Sequence, residues 1–168
     1  LFLSHFTAII LVSGSVGSYF YHSAMESLMD ALQSRLKNSA SLISQGLKAS
    51  ELDEIRNEQD MAMPKYRQYI NQLRGYVKSN PDIAFIYVMR KVGQKVVFVL
   101  DSDTQEPAVP GEEYPHNIPT LMEGFLRSSV DHDITEDRWG FFLSGYAPIQ
   151  TGEDDYLVGI DMRADEVH

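Results

Sequence analysis

Asn80-Pro81 divides the chain into two parts with different hydrophobic periods, and this division constrains the fold more than any other feature. Before it, Met25, Leu28, Leu32, Leu36, Ile43 and Leu47 recur at spacings of three, four and seven, which predicts a long amphipathic helix with one buried stripe. Ser50 reads as the N-cap of a short helix over residues 51–56, and residues 57–63 as a polar connection. Pro64 then opens a helix to about Ser79, with Tyr66, Tyr69, Ile70, Leu73 and Val77 on one face. Proline lacks the amide hydrogen a helix interior needs, so Asn80-Pro81 ends it.

After this point the period is two. Residues 83–90 and 96–101 are rich in Val, Ile, Phe and Tyr and meet around Gly93-Gln94, the pattern of an antiparallel hairpin. A turn centred there sets Arg90 opposite Val97 and Ile86 opposite Asp101. Arg90, Asp101, Val88 and Val99 then share one face, and Phe85, Tyr87, Met89, Phe98 and Leu100 the other. Prolines 107, 110, 115 and 119 make the next stretch irregular, with helical spacing over residues 118–128. Ile134 opens a short strand, and residues 139–149 and 156–162 make a second hairpin over a turn at 151–155. Helices followed by strands predict an α+β domain, an antiparallel sheet with a helical layer on one face.

The 168 residues suit one such domain. With 14 basic against 24 acidic side chains the net charge is -10, which opposes binding to a nucleic-acid backbone. The charge is uneven: residues 1–100 carry 11 basic and 8 acidic groups, residues 101–168 carry 3 and 16. Cysteine is absent, which excludes disulfides, a thiol nucleophile and thiolate metal sites. Between Phe2 and Phe20 there is no Asp, Glu, Lys or Arg, so residues 1–22 read as a transmembrane helix. A cleaved signal peptide and a buried core helix are the competing readings. Ser13, Gly14, Gly17 and Ser18 place small residues four apart, as helices that pack in a bilayer do.

The order of motifs resembles the Cache family, PAS-like extracytoplasmic sensor domains of bacterial receptors. The likeness spans residues 23–166. It is carried by Asn80-Pro81 before the first strand, Pro110-Gly111 ahead of Tyr114, Trp139-Gly140 with residues 143–149 (LSGYAPI), and Val158-Gly159-Ile160-Asp161. The resemblance implies a sheet of about five strands with the long helix on one face and a small-molecule pocket on the other. It further implies ligand contacts from an aspartate on the last strand and from aromatic or hydroxyl residues on the strand before it, here Asp161, Tyr146 and Ser144.

The residues themselves allow such a site. Ser144 and Tyr146 share a strand face, and Gly159 with Asp161 can occupy the same face of the next strand, where glycine leaves room above the sheet. A covered carboxylate needs a cation, so Asp161 is expected to meet Arg90, Arg163 or the amine of a ligand. Arg90 and Asp101 are read either as pocket groups or as a cross-strand ion pair. Tyr87, Tyr114 and Trp139 are further candidates for the pocket wall, Trp139 being most simply a core anchor where the strand begins. Asp131-His132-Asp133 reads as a solvated acidic turn, since it lacks the spacing of a calcium loop. No HExxH, GxSxG, GxGxxG or P-loop motif occurs, and neither a cofactor nor a metal is expected. The expectation is therefore a sensory domain, not an enzyme, at a bacterial inner membrane and facing the periplasm or the exterior. It would be a homodimer that binds an amino acid, amine or carboxylate and signals through its long helix to an output such as a histidine kinase or diguanylate cyclase. A membrane-tethered dimerisation or protein-interaction domain is the alternative.

Overall fold

A computed structural model describes residues 2–116, 118–137, 140–150 and 155–164. The chain divides into two compact units, Leu1–Ser34 and Arg35–His168. Helix α1, Phe2–Ser44, is continuous, as the unbroken patterning predicts. Among the described residues no helix is long and apolar enough to cross a membrane, so the span expected over residues 1–22 gains no support. His5, His22 and several serines dilute its apolar run. The expected buried stripe is also shorter than its spacing suggests: Leu28 is 45% exposed, whereas Leu36 is fully buried.

In the second unit, α1 ends at Ser44 in a turn that buries Leu47. Helix α2, Ala49–Leu52, is shorter than expected and begins after Lys48 without a side-chain cap, so Ser50 is not its N-cap. A 3-10 turn over Glu58–Ala62 follows, where Asn57 and Asp60 form a capping box. Helix α3, Pro64–Ser79, has the predicted bounds and buries Tyr66, Tyr69, Ile70 and Leu73.

Strands β1 (Ile83–Val92) and β2 (Lys95–Asp101) form the first hairpin. Its turn is Gly93-Gln94, with Gly93 at φ +62°, a conformation that suits glycine. Arg90 pairs with Val97 as expected, but the register then shifts: Met89 opposes Phe98, Val88 opposes Leu100, and Asp101 faces Tyr87 rather than Ile86. An extra residue at Val99 causes the shift, a bulge that a strict period of two cannot reveal. Beyond β2 the chain doubles back. Phe98 donates to the Glu112 carbonyl, and Gly111 and Tyr114 donate to the carbonyls of Phe98 and Val96. Gly111, at φ +90°, is required here, because a Cβ would lie 2.6 Å from the Arg56 carbonyl oxygen.

Helix α4, Pro119–Gly124, is shorter than the helical spacing suggested: the chain closes it in a turn in which Leu126 and Arg127 donate to the Glu123 carbonyl, and Ser129–Val130 then form strand β3. Strands β4 (Thr135–Asp137), β5 (Gly140–Pro148) and β6 (Tyr156–Arg163) complete an antiparallel sheet in the order β2-β1-β6-β5-β3, in which β4 also pairs with β5. Because β3 and β4 share one side of β5, six strands make five positions, as the PAS-like reading anticipated. Leu36 of α1 seats against Gly145 on one face. The opposite face carries Tyr87, Met89, Tyr146 and Leu157, packed with Leu121 and Phe125 from α4 and the residue after it. The fold is α+β, a PAS-like sheet between the long helix and a covered second face.

Candidate ligand-binding site

Strand pairing alone places the predicted residues. Asp161 opposes Ser144 on β5 and Phe85 on β1, and in the next row Gly159 lies between Tyr87 and Tyr146, with Ser129 of β3 beyond. Directly opposed residues point to the same face, so Ser144, Tyr146, Tyr87 and Asp161 come together. The neighbouring row of Met89, Leu157 and Pro148 is apolar and closes the floor on one side.

The Tyr87 hydroxyl donates to Asp161 Oδ1 at 3.0 Å. Gly159 makes this possible: a Cβ there would lie 2.1 Å from a Tyr87 ring carbon, so the ring crosses β6 where that side chain is missing. The room that glycine leaves is therefore occupied by Tyr87. Burial raises the Tyr87 phenol well above its usual range, and the Asp161 carboxylate adds to the effect. Tyr146, only 1% exposed, is raised chiefly by burial and then by the charges of Asp131 and Asp161.

Asp131 is one residue that sequence reasoning misplaced. It is buried rather than solvated: it accepts from the Thr120 hydroxyl and from Ser144, while its amide donates to the Ser144 carbonyl at 2.8 Å. Burial raises its carboxyl above the usual range against those hydrogen bonds. The only sequence signal was its place at the head of an acidic turn, which does not indicate that the first carboxylate folds inward. Ser129 Oγ donates to the Thr120 carbonyl at 2.6 Å, and a Cβ at Gly124 would lie 2.5 Å from that of Tyr146. Close approach of α4 thus holds Thr120 and Asp131 over β5.

Aromatic rings wall this polar group. Tyr87 meets Phe98 edge-on with centroids 6.1 Å apart, Phe98 meets Tyr114 at 5.8 Å, and Phe85 packs on Phe142 at 5.9 Å. Tyr114 thereby packs on the outer side of this aromatic group. Trp139 lies outside the described residues.

Arg90 and Asp101 do not join the site. Arg90 is buried beside the loop that follows α2, where its guanidinium donates to the Ile55 carbonyl and the Tyr156 hydroxyl, both at 3.4 Å, and lies over the Tyr156 ring. Asp101 accepts from the amides of Asp103 and Ala108 and so shapes its own loop. The expected Arg90–Asp101 pairing is incorrect, because one residue keeps the predicted register and the other lies past the bulge. Of two open clefts, one of about 680 Å³ is lined by Arg74, Lys78 and Arg163 and shares Phe85 with the wall of this site, and one of about 450 Å³ is lined by Lys48, Asp53 and Tyr156.

The site thus offers two carboxylates and several hydroxyls inside an aromatic shell. Such a set can recognise a donor-rich, cationic group. Among the described residues no three metal-ligating side chains gather into a cluster.

No protein family matches the sequence, and neither does any curated protein. Solved structures do share the fold. The extracellular domain of mmHK1S-Z2, described as a histidine kinase, superposes with a TM-score of 0.52 at 11% identity, over 85% of this chain and 60% of that one. The ligand-binding domain of the Campylobacter jejuni chemoreceptor Tlp3 in complex with 4-methylisoleucine gives 0.51 at 13%, over 86% and 55%. The Tlp3 sensory domain with isoleucine bound gives 0.51 at 12%, over 89% and 63%. The chain spans about three fifths of the length of these domains. It shares the fold of the extracellular domain of a histidine kinase and of the ligand-binding domain of the chemoreceptor Tlp3, the fold that the Cache resemblance anticipated.

Proposed function

We propose that the chain is the extracytoplasmic sensory domain of a membrane receptor, and that it binds a small amine-bearing molecule on the face formed by Ser144, Tyr146 and Asp161. The observation that carries this reading is the convergence of Asp161, Asp131, Tyr87, Tyr146 and Ser144 on one covered sheet face opposite the long helix. Two carboxylates in one place favour a cation, and surrounding aromatic rings favour an apolar substituent next to it. The Tlp3 domains that share the fold bind isoleucine, valine and 4-methylisoleucine. Arg90 is engaged by the Ile55 carbonyl and the Tyr156 hydroxyl, so the amine is the end this face recognises. Association of two chains and attachment to a membrane through residues 1–22 belong to the same proposal. They draw on the exposed apolar side chains of that segment, Phe6, Ile9, Ile10, Leu11 and Val12 among them. The function is sensing rather than catalysis, with the output held in another domain.

A thermal-shift screen against amino acids, amines, carboxylates and divalent cations tests the reading. A specific ligand at a hundred times its Kd stabilises by about 2.7 kcal/mol, a rise of roughly 5–10 °C in Tm for a chain of this size. Amine-bearing compounds should give such a rise, and Asp161→Ala should abolish it. Absence of any shift would favour an interaction domain without a small ligand, a reading to which the filling of this face by Tyr87 and Tyr146 lends some weight.

A further inference from the structure

Tyr87 is related to Asp161 in a way that packing alone does not require. An aromatic ring laid across a cross-strand glycine is a common means of covering bare backbone, and phenylalanine would serve as well. Here the ring also delivers a hydroxyl to Asp161 Oδ1 at 3.0 Å, from a side chain that is almost wholly buried. We infer that Tyr87 is an internal competitor for the ligand: its hydroxyl holds Asp161 Oδ1, and a ligand's ammonium group binds by displacing it. The inference rests on the amine reading above and deepens it, since it names the residue that sets the affinity threshold.

The geometry gives the competition its direction. A phenol offers one neutral donor to the carboxylate, whereas an ammonium offers three donors and a full charge, and hydrogen bonds between charged partners are about twice as strong as neutral ones. An amine can therefore displace Tyr87, while an alcohol or amide of the same shape brings no stronger donor and has the ring to expel. Gly159 provides the space in which the ring rests, and a Cβ at that position would exclude it. Tyr87 also meets Phe98, which in turn meets Tyr114, so its departure would disturb the aromatic wall between β1 and the segment doubled back on β2. Selectivity for amines over isosteric neutral molecules is thus produced by what must be removed as well as by what is gained.

The test has a readout that needs no ligand and one that does. Carbodiimide coupling of glycinamide to Asp161, followed by mass spectrometry of the whole domain, reports how firmly the carboxylate is held. Tyr87→Phe keeps the ring and loses the hydroxyl; it should raise the coupling rate at Asp161 several-fold and tighten binding of isobutylamine and L-valine about tenfold, as loss of one hydrogen bond to a charged group implies. Gly159→Ala, which displaces the ring by steric means, should raise the coupling rate in the same direction. Isobutyrate, with no amine, should bind none of the proteins. If Tyr87→Phe and Gly159→Ala both couple at the wild-type rate, Tyr87 is only a packing residue and the inference fails. If coupling rises but the two amines bind wild type and Tyr87→Phe equally, Tyr87 does not compete and the inference also fails, while the site itself stands. If coupling rises and no protein binds either amine, Tyr87's hold on Asp161 is sustained and the amine reading above is the part that fails.

Discussion

Glu51 shows how one side chain can fasten two helices. It extends from α2, accepts from the Tyr69 hydroxyl of α3 at 2.5 Å, and pairs with Lys65 at 2.9 Å. The Tyr69 hydrogen bond and then Lys65 favour the ionised form and pull its pKa from 4.5 to about 2. A carboxylate whose folded pKa is depressed contributes stability that is complete above its unfolded value and is lost as pH falls through the folded one. Urea denaturation should therefore find Glu51→Gln less stable than wild type at pH 7, with the gap closing between about pH 4.5 and 2. A gap that stays constant over that range would remove the ion pair as its cause. Asp131 has the opposite sign: burial raises its folded pKa, so its contribution improves as pH falls. The comparison with Glu51→Gln cancels that background. At this scale the candidate site was partly legible, because a period of two sets Ser144 and Tyr146 on one face and Asp161 beside them. Asp131 was not, since nothing local distinguishes an acidic turn that faces water from one whose first residue is covered by α4.

Among the elements, the docking of α1 on the sheet depends on a single missing side chain. A Cβ at Gly145 would lie 2.6 Å from Leu36 Cγ, so helix and strand meet at a distance only glycine permits. Gly145→Ala should lower stability by about 1–3 kcal/mol, the usual cost of overpacking a tight core. In a Leu36→Ala background the same change should cost much less, and a double-mutant cycle by urea denaturation measures the difference. Additive effects would show that the contact does not hold α1 in place. Local pattern gave α3, the hairpin turn and β5 and β6 close to their observed bounds, because each has a strong period and a clear stop signal. It missed β3, two residues long and defined only by pairing with Gly145 and Tyr146. It also missed the bulge at Val99, which moves Asp101 from Ile86 to Tyr87 and dissolves the expected pairing with Arg90. Both are products of tertiary pairing, and neither leaves a trace in the spacing of apolar residues.

At the scale of the whole molecule, the unfinished surface is the N-terminal part of α1. Phe6, Ile9, Ile10, Leu11, Val12, Val16, Tyr19, Phe20 and Tyr21 are all exposed, and at 100° per residue they surround the helix rather than forming one stripe. Exposed apolar side chains in this number support the proposed cover of this segment by lipid, by another helix or by both. Ser13, Gly14, Gly17 and Ser18 supply a small-residue face on which a second helix can approach closely, the arrangement expected if two receptor chains signal by shifting one helix against another. The chain has no cysteine, so each introduced thiol reports alone. Single cysteines at Ser18, Ser23, Glu26 and Asp30, placed in membranes and oxidised, should crosslink in a pattern that repeats every three to four residues, with yields that change when an amine ligand is added. Crosslinks of equal yield at all four positions would indicate random collision, and none at any position would remove the helix pair from the proposed mechanism.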